Sequence, residues 1–416
     1  MATKCLLKRS VICQPKTQRG DYVSYPSRHE VRVISHHLQR EARIALQHHL
    51  QRESVFESFA PGRVNLIGEH TDYNEGFVLP CALEVGTAVA MAPRTDRRIV
   101  AISASHGQVH RDDFSLDESP TPLPRGAWGN YLRGMVAAAR NADEVLSGMD
   151  IAIVGNVPQG AGLSSSASLS VALGKLLQRA AGNAALPSPT SLQHVARWAQ
   201  WTEHHYAGCL CGIMDQMAAA VAAPAEALLL DCRDLSIERI ALPADWCVLI
   251  IDSGTRRELV AGEYNQRRRQ CETAARHYGV PMLRDLQPSQ LSKHRGALDE
   301  ICFRRARHVV TENERVLRAA AALKAADLRA FGAALQDSHE SLRLDFEVTV
   351  PAVDALAAEV NTLISRHADG RGGARMTGGG FGGCVIAVLE RAAADPILTG
   401  LRQTIGQLQT FTVGLH

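Results

Sequence analysis

A short glycine- and serine-rich stretch, residues 158–167, has the composition of an anion-binding loop. It follows an apolar run at residues 151–154 and precedes leucines and valines at helical spacing, which predicts a strand, a loop and a helix. Glycines allow close backbone approach, and the first helical turn leaves N–H groups unpaired at its positive end, where phosphate binds well. An ordinary serine N-cap is the alternative. No lysine follows at the spacing of a Walker-type P-loop.

A second polar stretch, residues 59–76, places an Arg, a His, an Asn and several carboxylates between apolar runs. Such a loop is typical of a functional site, because a buried core could not satisfy so many polar groups. A solvated surface loop has the same composition and stays the alternative. The run Asp72-x-Asn74-x-Gly76 does not continue as a calcium loop, because no Glu follows to close it.

Two smaller features lie between residues 203 and 216. Asp215 is placed at a glycine-flanked helix start, where a carboxylate is commonly only a cap. Cys209 and Cys211 lie near two histidines, but the second ligand pair of a structural zinc site is missing. These features alone assign no chemistry.

Apolar periodicity predicts the elements that must position these loops. Helices are expected at residues 33–50, from 128 onward, and at 191–206, 258–277, 305–325, 328–345 and 351–367, and strands at 77–79, 87–92, 99–103, 246–253 and 385–389. A glycine-rich stretch at residues 372–384 matches a dinucleotide fingerprint only by chance, since a strand and not a helix follows it. Its glycines are expected to allow close approach to a neighbouring loop or ligand.

Length and composition limit the function classes. A chain of 416 residues is expected to form two domains, and a net charge of +2 gives no reason to expect nucleic acid or membrane as a partner. No apolar run is long enough to span a bilayer. Ten scattered cysteines fit a reducing compartment, so we expect a cytoplasmic protein. Residues 1–35 are predicted to be a disordered extension; a transit peptide is the alternative for their basic, acid-poor start.

Three stretches together resemble the galactokinases of the GHMP small-molecule kinase superfamily. Residues 62–76 are similar to the galactokinase signature, residues 158–167 to the superfamily's ATP-phosphate loop, and residues 373–384 to its third motif. The resemblance covers residues 40 to 390. It implies an α+β fold with an N-terminal domain at residues 36–235, similar to ribosomal protein S5 domain 2, and a ferredoxin-like C-terminal domain at residues 236–416. The site would lie in the cleft between them.

The resemblance also implies a role for each matching residue. Asp215 would be the catalytic base, and Arg63 would stabilise the transferring charge. The sugar would contact Glu69, His70, Thr71, Asp72, Gly212 and Tyr264. ATP would contact Ser103, Trp128, Gly160, Ala161, Gly162, Leu163, Ser164, Ser165 and Ser166. Magnesium, the implied cofactor, would be bound by Ser166 and Glu203.

The implied reaction is transfer of the ATP γ-phosphate to the C1 hydroxyl of α-D-galactose by a monomeric enzyme. These residue types suit phosphoryl transfer, which requires alignment and charge stabilisation more than covalent chemistry. Two alternatives stay open at this point. One is a kinase for another sugar, N-acetylgalactosamine or arabinose. The other is a galactose sensor without catalysis, although Ser166-Ala167, which such sensors lose, is intact here.

Overall fold

A computed structural model of the protein describes residues 28–105, 108–182, 188–255, 260–293, 295–406 and 409–414. Helix α1 (Arg28–Leu50) begins inside the predicted extension of residues 1–35, of which residues 1–27 lie outside the described part. None of the described helices is long and apolar enough to cross a membrane.

An eight-stranded mixed sheet organises the first half of the described chain. Its strands are β1 (Phe56–Asn65), β2 (Phe77–Val78), β3 (Pro80–Pro93), β4 (Arg98–Ser105), β5 (Gln108–Ser115), β6 (Met149–Gly155), β7 (Glu226–Asp231) and β8 (Ile237–Ala241). The main path is β2-β7-β3-β6-β4-β5, with β1 paired to β3 and β8 to β7. Strands β4 and β6 run parallel, whereas β3 pairs antiparallel with both β1 and β6.

Both faces of this sheet are covered by helices. Helices α2 (Gly129–Asn141), α3 (Ser165–Ala180), α4 (Pro189–Thr202) and α5 (Met214–Val221) share a core with residues such as Val89 and Met91 of β3. The alternate β3 residues, Ala88 and Ala90, pack with α1 on the opposite face. Successive side chains of a strand point to opposite faces, so this alternation explains the buried, apolar run at 87–92.

The second half is built on a four-stranded antiparallel sheet in the order β10-β11-β9-β12. These strands are β9 (Trp246–Asp252), β10 (Gly372–Met376), β11 (Cys384–Glu390) and β12 (Thr410–Gly414). The helices are α6 (Val260–Tyr278), α7 (Pro288–Lys293), α8 (Glu300–Lys324), α9 (Leu328–Ser341), α10 (Pro351–His367) and α11 (Arg391–Thr404). Helices and antiparallel strands in two linked units confirm the predicted α+β class.

One apolar core joins the two halves. Leu66 and Leu79 of the first half pack in the same cluster as Val248, Ile250 and Phe331 of the second. The predicted domain boundary between residues 235 and 236 stays a prediction. Strand β8 lies after that point and pairs with β7 of the first sheet.

Two helices end in a widened turn. The helix predicted at 191–206 is α-helical only to Thr202 and then forms a π-helical turn, Glu203–Ala207. The helix predicted at 328–345 likewise ends at Ser341 and continues as a π-helical turn, Leu342–Phe346. Such turns occur often at functional sites because they redirect one side chain relative to the helix.

Candidate active site

A cavity between the two halves brings Arg63 and Asp215 together. Arg63 follows a register shift between Pro61 and Arg63 in β1, and Asp215 lies in the first turn of α5. The Arg63 guanidinium donates from Nε and Nη2 to the two carboxylate oxygens of Asp215, at 2.7 Å each, and from Nη1 to the Gly162 carbonyl at 2.8 Å. Two parallel bonds fix the orientation of the carboxylate, which stays partly exposed to the cavity.

The loop at residues 158–167, here called the serine loop, lies along one wall of this cavity. It leaves β6 and enters α3, whose first residue is Ser165, so N–H groups at this end point into the loop. Gly160 and Gly162 adopt positive φ angles of 74° and 81°, which glycine tolerates without strain. Ser164 has φ of 60° and its hydroxyl donates to Asp215. Ala161 is buried in the core and does not line the cavity.

Ser166 of the serine loop meets Glu203 in the lining of the same cavity. The Ser166 hydroxyl is hydrogen-bonded to the Glu203 carboxyl group and to Tyr131. Burial, followed by the nearby charge of Asp215, raises the pKa of Glu203 to about 7, while the bond to Ser166 lowers it. A hydroxyl and one carboxylate are a donor set that suits Mg²⁺, which usually keeps water and phosphate oxygens as its other ligands. A cation there would offset the charge of this buried carboxylate.

The loop at residues 66–77, here called the polar loop, forms the other wall. Glu69, His70 and Asp72 line the cavity together with Tyr264 of α6. Burial and the charge of Asp215 raise the pKa of Asp72 to about 7, although its bonds from the Tyr73 and Met214 N–H groups lower it. The ring centroids of His70 and Tyr264 lie 5.2 Å apart.

Two predicted sugar-binding residues shape this wall without lining the cavity. The Thr71 hydroxyl lies 2.8 Å from the Gly68 carbonyl and 2.7 Å from the Phe77 carbonyl, so it closes the polar loop on itself. The Thr71 hydroxyl therefore holds the loop, and the contact of Thr71 with sugar stays a prediction. Gly212 packs against Asp72, because a Cβ there would lie 2.1 Å from the Asp72 carboxyl carbon.

Glu69 is held by the second half of the chain. Its carboxylate pairs with Arg375 of β10 and accepts hydrogen bonds from the Thr377 hydroxyl at 3.2 Å and the Gly378 N–H at 3.0 Å. Arg375 also donates to the Leu66 carbonyl at 2.9 Å. The glycine-rich stretch thus approaches the polar loop closely, as the sequence predicts.

A second cavity adjoins the serine loop. Ser103, Trp128 and Tyr131 line it, and Ser165 and Ser166 line both cavities. The two predicted nucleoside contacts therefore lie beside the serine loop, in a cavity that no polar-loop residue lines.

Sequence reasoning missed several residues around the site. Tyr131, Gln216 and Arg375 contact or line it, and none was assigned a role. A signal existed for Arg375, the one charged residue between two runs of glycine at 372–383. Tyr131 and Gln216 each lie close in sequence to a predicted site residue but carry no pattern of their own.

Three family models match the chain. Residues 47–93 match the galactokinase galactose-binding signature, residues 130–223 the GHMP kinase N-terminal domain, and residues 319–406 the GHMP kinase C-terminal domain. Among solved structures, the chain is similar to Lactococcus lactis galactokinase complexed with galactose, at 30% identity and a TM-score of 0.79, over 91% of this chain and 97% of that one.

More distant structures share the fold alone. Methanococcus jannaschii mevalonate kinase matches at 17% identity and a TM-score of 0.61, over 87% of this chain and 98% of that chain. Streptococcus pneumoniae phosphomevalonate kinase, in complex with phosphomevalonate and AMPPNP, matches at 13% identity and a TM-score of 0.59, over 86% and 99%.

Proposed function

The chain belongs to the galactokinase family of the GHMP kinases, and we propose that it transfers the γ-phosphate of ATP to the C1 hydroxyl of α-D-galactose. The products are α-D-galactose 1-phosphate and ADP. The observation that carries this proposal is the Arg63–Asp215 pair, which lies between the polar loop with its galactose-binding signature and the serine loop.

Asp215 is the proposed base. A carboxylate within reach of the C1 hydroxyl accepts its proton as the oxygen attacks the γ-phosphorus. Arg63 orients this carboxylate and places its own charge beside the transferring group, where it stabilises the transition state. The Ser164 hydroxyl also donates to Asp215 and further fixes the position of this carboxylate.

The serine loop is the proposed triphosphate site. Backbone N–H groups from Gly160 to Ser166 supply donors for phosphate oxygens, and the positive end of α3 adds to them. Ser166 and Glu203 would bind Mg²⁺, which when bound neutralises phosphate charge. Ser103 and Trp128 would face the nucleoside.

Galactose is proposed to contact Glu69, His70, Asp72 and Tyr264. Buried polar groups such as Glu69, His70 and Asp72 discriminate by roughly 10⁴ against a sugar that lacks a hydroxyl they bind, because they are then left unpaired. A cytoplasmic location and a monomeric state complete the proposal; the described cysteines are free thiols, as a reducing compartment requires.

A sugar panel tests the function. Purified protein with Mg-ATP should release ADP with galactose much faster than with glucose, N-acetylgalactosamine or arabinose. If turnover is fastest with one of the other sugars, that sugar and not galactose is the substrate. Galactose binding without ADP release would instead indicate a sensor.

A further inference from the structure

Helix α8 contacts the backbone of the polar loop at three points. The His308 Nε2 lies 3.1 Å from the Glu69 carbonyl, a Glu312 carboxylate oxygen lies 3.1 Å from the Gly68 nitrogen, and the Asn313 amide oxygen lies 2.9 Å from the Phe77 nitrogen. A spacing of four residues places His308 and Glu312 on the same side of the helix, and Asn313 directly follows Glu312. They bracket the loop at both ends, around Glu69, His70 and Asp72.

The three side chains are buried, and the protonation states of His308 and Glu312 suit these hydrogen bonds. His308 and Glu312 are fully buried and Asn313 nearly so. Burial lowers the pKa of His308 to about 4, so the ring is neutral, and Nδ1 beside the Ser341 hydroxyl leaves Nε2 to donate to the Glu69 carbonyl. Burial alone would raise the pKa of Glu312, but the Arg315 guanidinium and other nearby charges bring it to about 2. Glu312 therefore accepts as a carboxylate.

Backbone N–H groups of the polar loop need hydrogen-bond acceptors from outside the loop. Gly68 has φ of 103°, and a Cβ there would lie 2.8 Å from the Phe77 carbonyl, so the chain is tightly folded at this point. In this conformation the Gly68 N–H is directed to Glu312, which also accepts from the Ser338 hydroxyl at 2.6 Å and the Arg315 Nε at 2.6 Å. A buried N–H without a hydrogen-bond acceptor would favour a different backbone conformation of the loop.

We propose that His308, Glu312 and Asn313 are positioning residues for the sugar. They act through the polar loop, holding its backbone so that Glu69, His70 and Asp72 face the cavity. The assignment of sugar as the ligand rests on the function proposed above. None of the three lines the cavity, and their hydrogen bonds to the first half go to the polar loop, so their effect is on sugar affinity and not on the phosphate site.

The test is Glu312→Gln, with Glu314→Gln as its matched control. Glu314 lies on the exposed side of the same helix. In the first variant one carboxylate oxygen becomes an NH2 group, so the side chain can no longer accept from both the Gly68 N–H and the Arg315 Nε. We expect about a tenfold rise in the KM for galactose with the KM for ATP unchanged, the size expected for one charged hydrogen bond. Amide hydrogen exchange should be faster in residues 66–77 and unchanged in residues 158–167, and the control should match wild type in both measurements.

A second pair of variants gives an independent readout. Asn313→Ala removes the acceptor for the Phe77 N–H, whereas Asn313→Asp keeps it, so only the first should raise the KM for galactose and the exchange of the polar loop. Unchanged exchange in residues 66–77 in Glu312→Gln and Asn313→Ala would overturn the proposal. So would an equal rise of KM for both substrates. If the wild type does not phosphorylate galactose, the proposed function fails, and hydrogen exchange still decides whether α8 holds the loop.

Discussion

Replacing Asp72 by Asn should stabilise the ligand-free protein at alkaline pH and much less at acidic pH. Burial and the charge of Asp215 raise the pKa of Asp72 from 3.8 to about 7. The folded state therefore favours the neutral acid, so the stability contributed by this group is complete below the unfolded pKa of 3.8 and is lost as the pH rises through 7. Asn resembles the neutral acid and cannot ionise, so the variant avoids this loss.

The size of this stability difference follows from the pKa shift of Asp72. Three pKa units correspond to about 4 kcal/mol, of which roughly 2 kcal/mol falls between pH 5 and pH 7. The variant gives up an acceptor for one of the two backbone N–H groups that Asp72 binds, at a cost of about 1 kcal/mol. The net gain at about pH 8 is then about 3 kcal/mol, and near pH 5 the variant and the wild type should be close.

Urea unfolding of the two proteins at pH 5 and pH 8, without substrates, measures this difference. Asp143→Asn is the matched control; it makes the same change at an exposed position and should shift stability equally at both pH values. If Asp72→Asn changes the free energy of unfolding by the same amount at pH 5 and pH 8, the ionisation of Asp72 does not oppose folding and the reasoning is wrong.

Two further predictions concern turnover and sugar binding. Asp215→Asn should lower kcat by about 10² to 10⁴ while galactose and ATP still bind, as measured by calorimetry; turnover close to wild type would refute its role as base. Gly212→Ala should raise the KM for galactose at least about tenfold, because its methyl group would displace the Asp72 carboxylate. Gly262→Ala, where a Cβ meets open space, is the control for that variant, and an equal effect of both would contradict the packing argument.

Local features were predictable from the sequence because their causes are local. The serine loop lies between β6 and α3 as glycine, serine and apolar periodicity indicate. The roles of Arg63 and Asp215 came from the family resemblance, and the structure brings these two side chains into contact. The length of the helix before Glu203 was mispredicted, because apolar spacing does not distinguish an α-helical end from a π-helical turn.

The direction of the Thr71 side chain and the partners of Glu69 could not be predicted in the same way. A threonine in a polar loop can face ligand or backbone, and only the closed turn with Gly68 and Phe77 decides between them. Glu69 and Arg375 are far apart along the chain, and their pairing depends on how the second sheet packs against the first.

Residue identity and short spacings in the sequence determined which two loops carry polar and phosphate-binding residue types. The resemblance of these motifs to the galactokinases implied the family and the α+β class. Tertiary structure decided which of those side chains reach the cavity. It placed Glu203 beside Ser166 and Asp72 beside Gly212, and it brought α8 to the backbone of the polar loop. Such contacts join segments distant in sequence, and packing, which no local pattern encodes, sets both their geometry and the burial that shifts the pKa of the carboxyl groups.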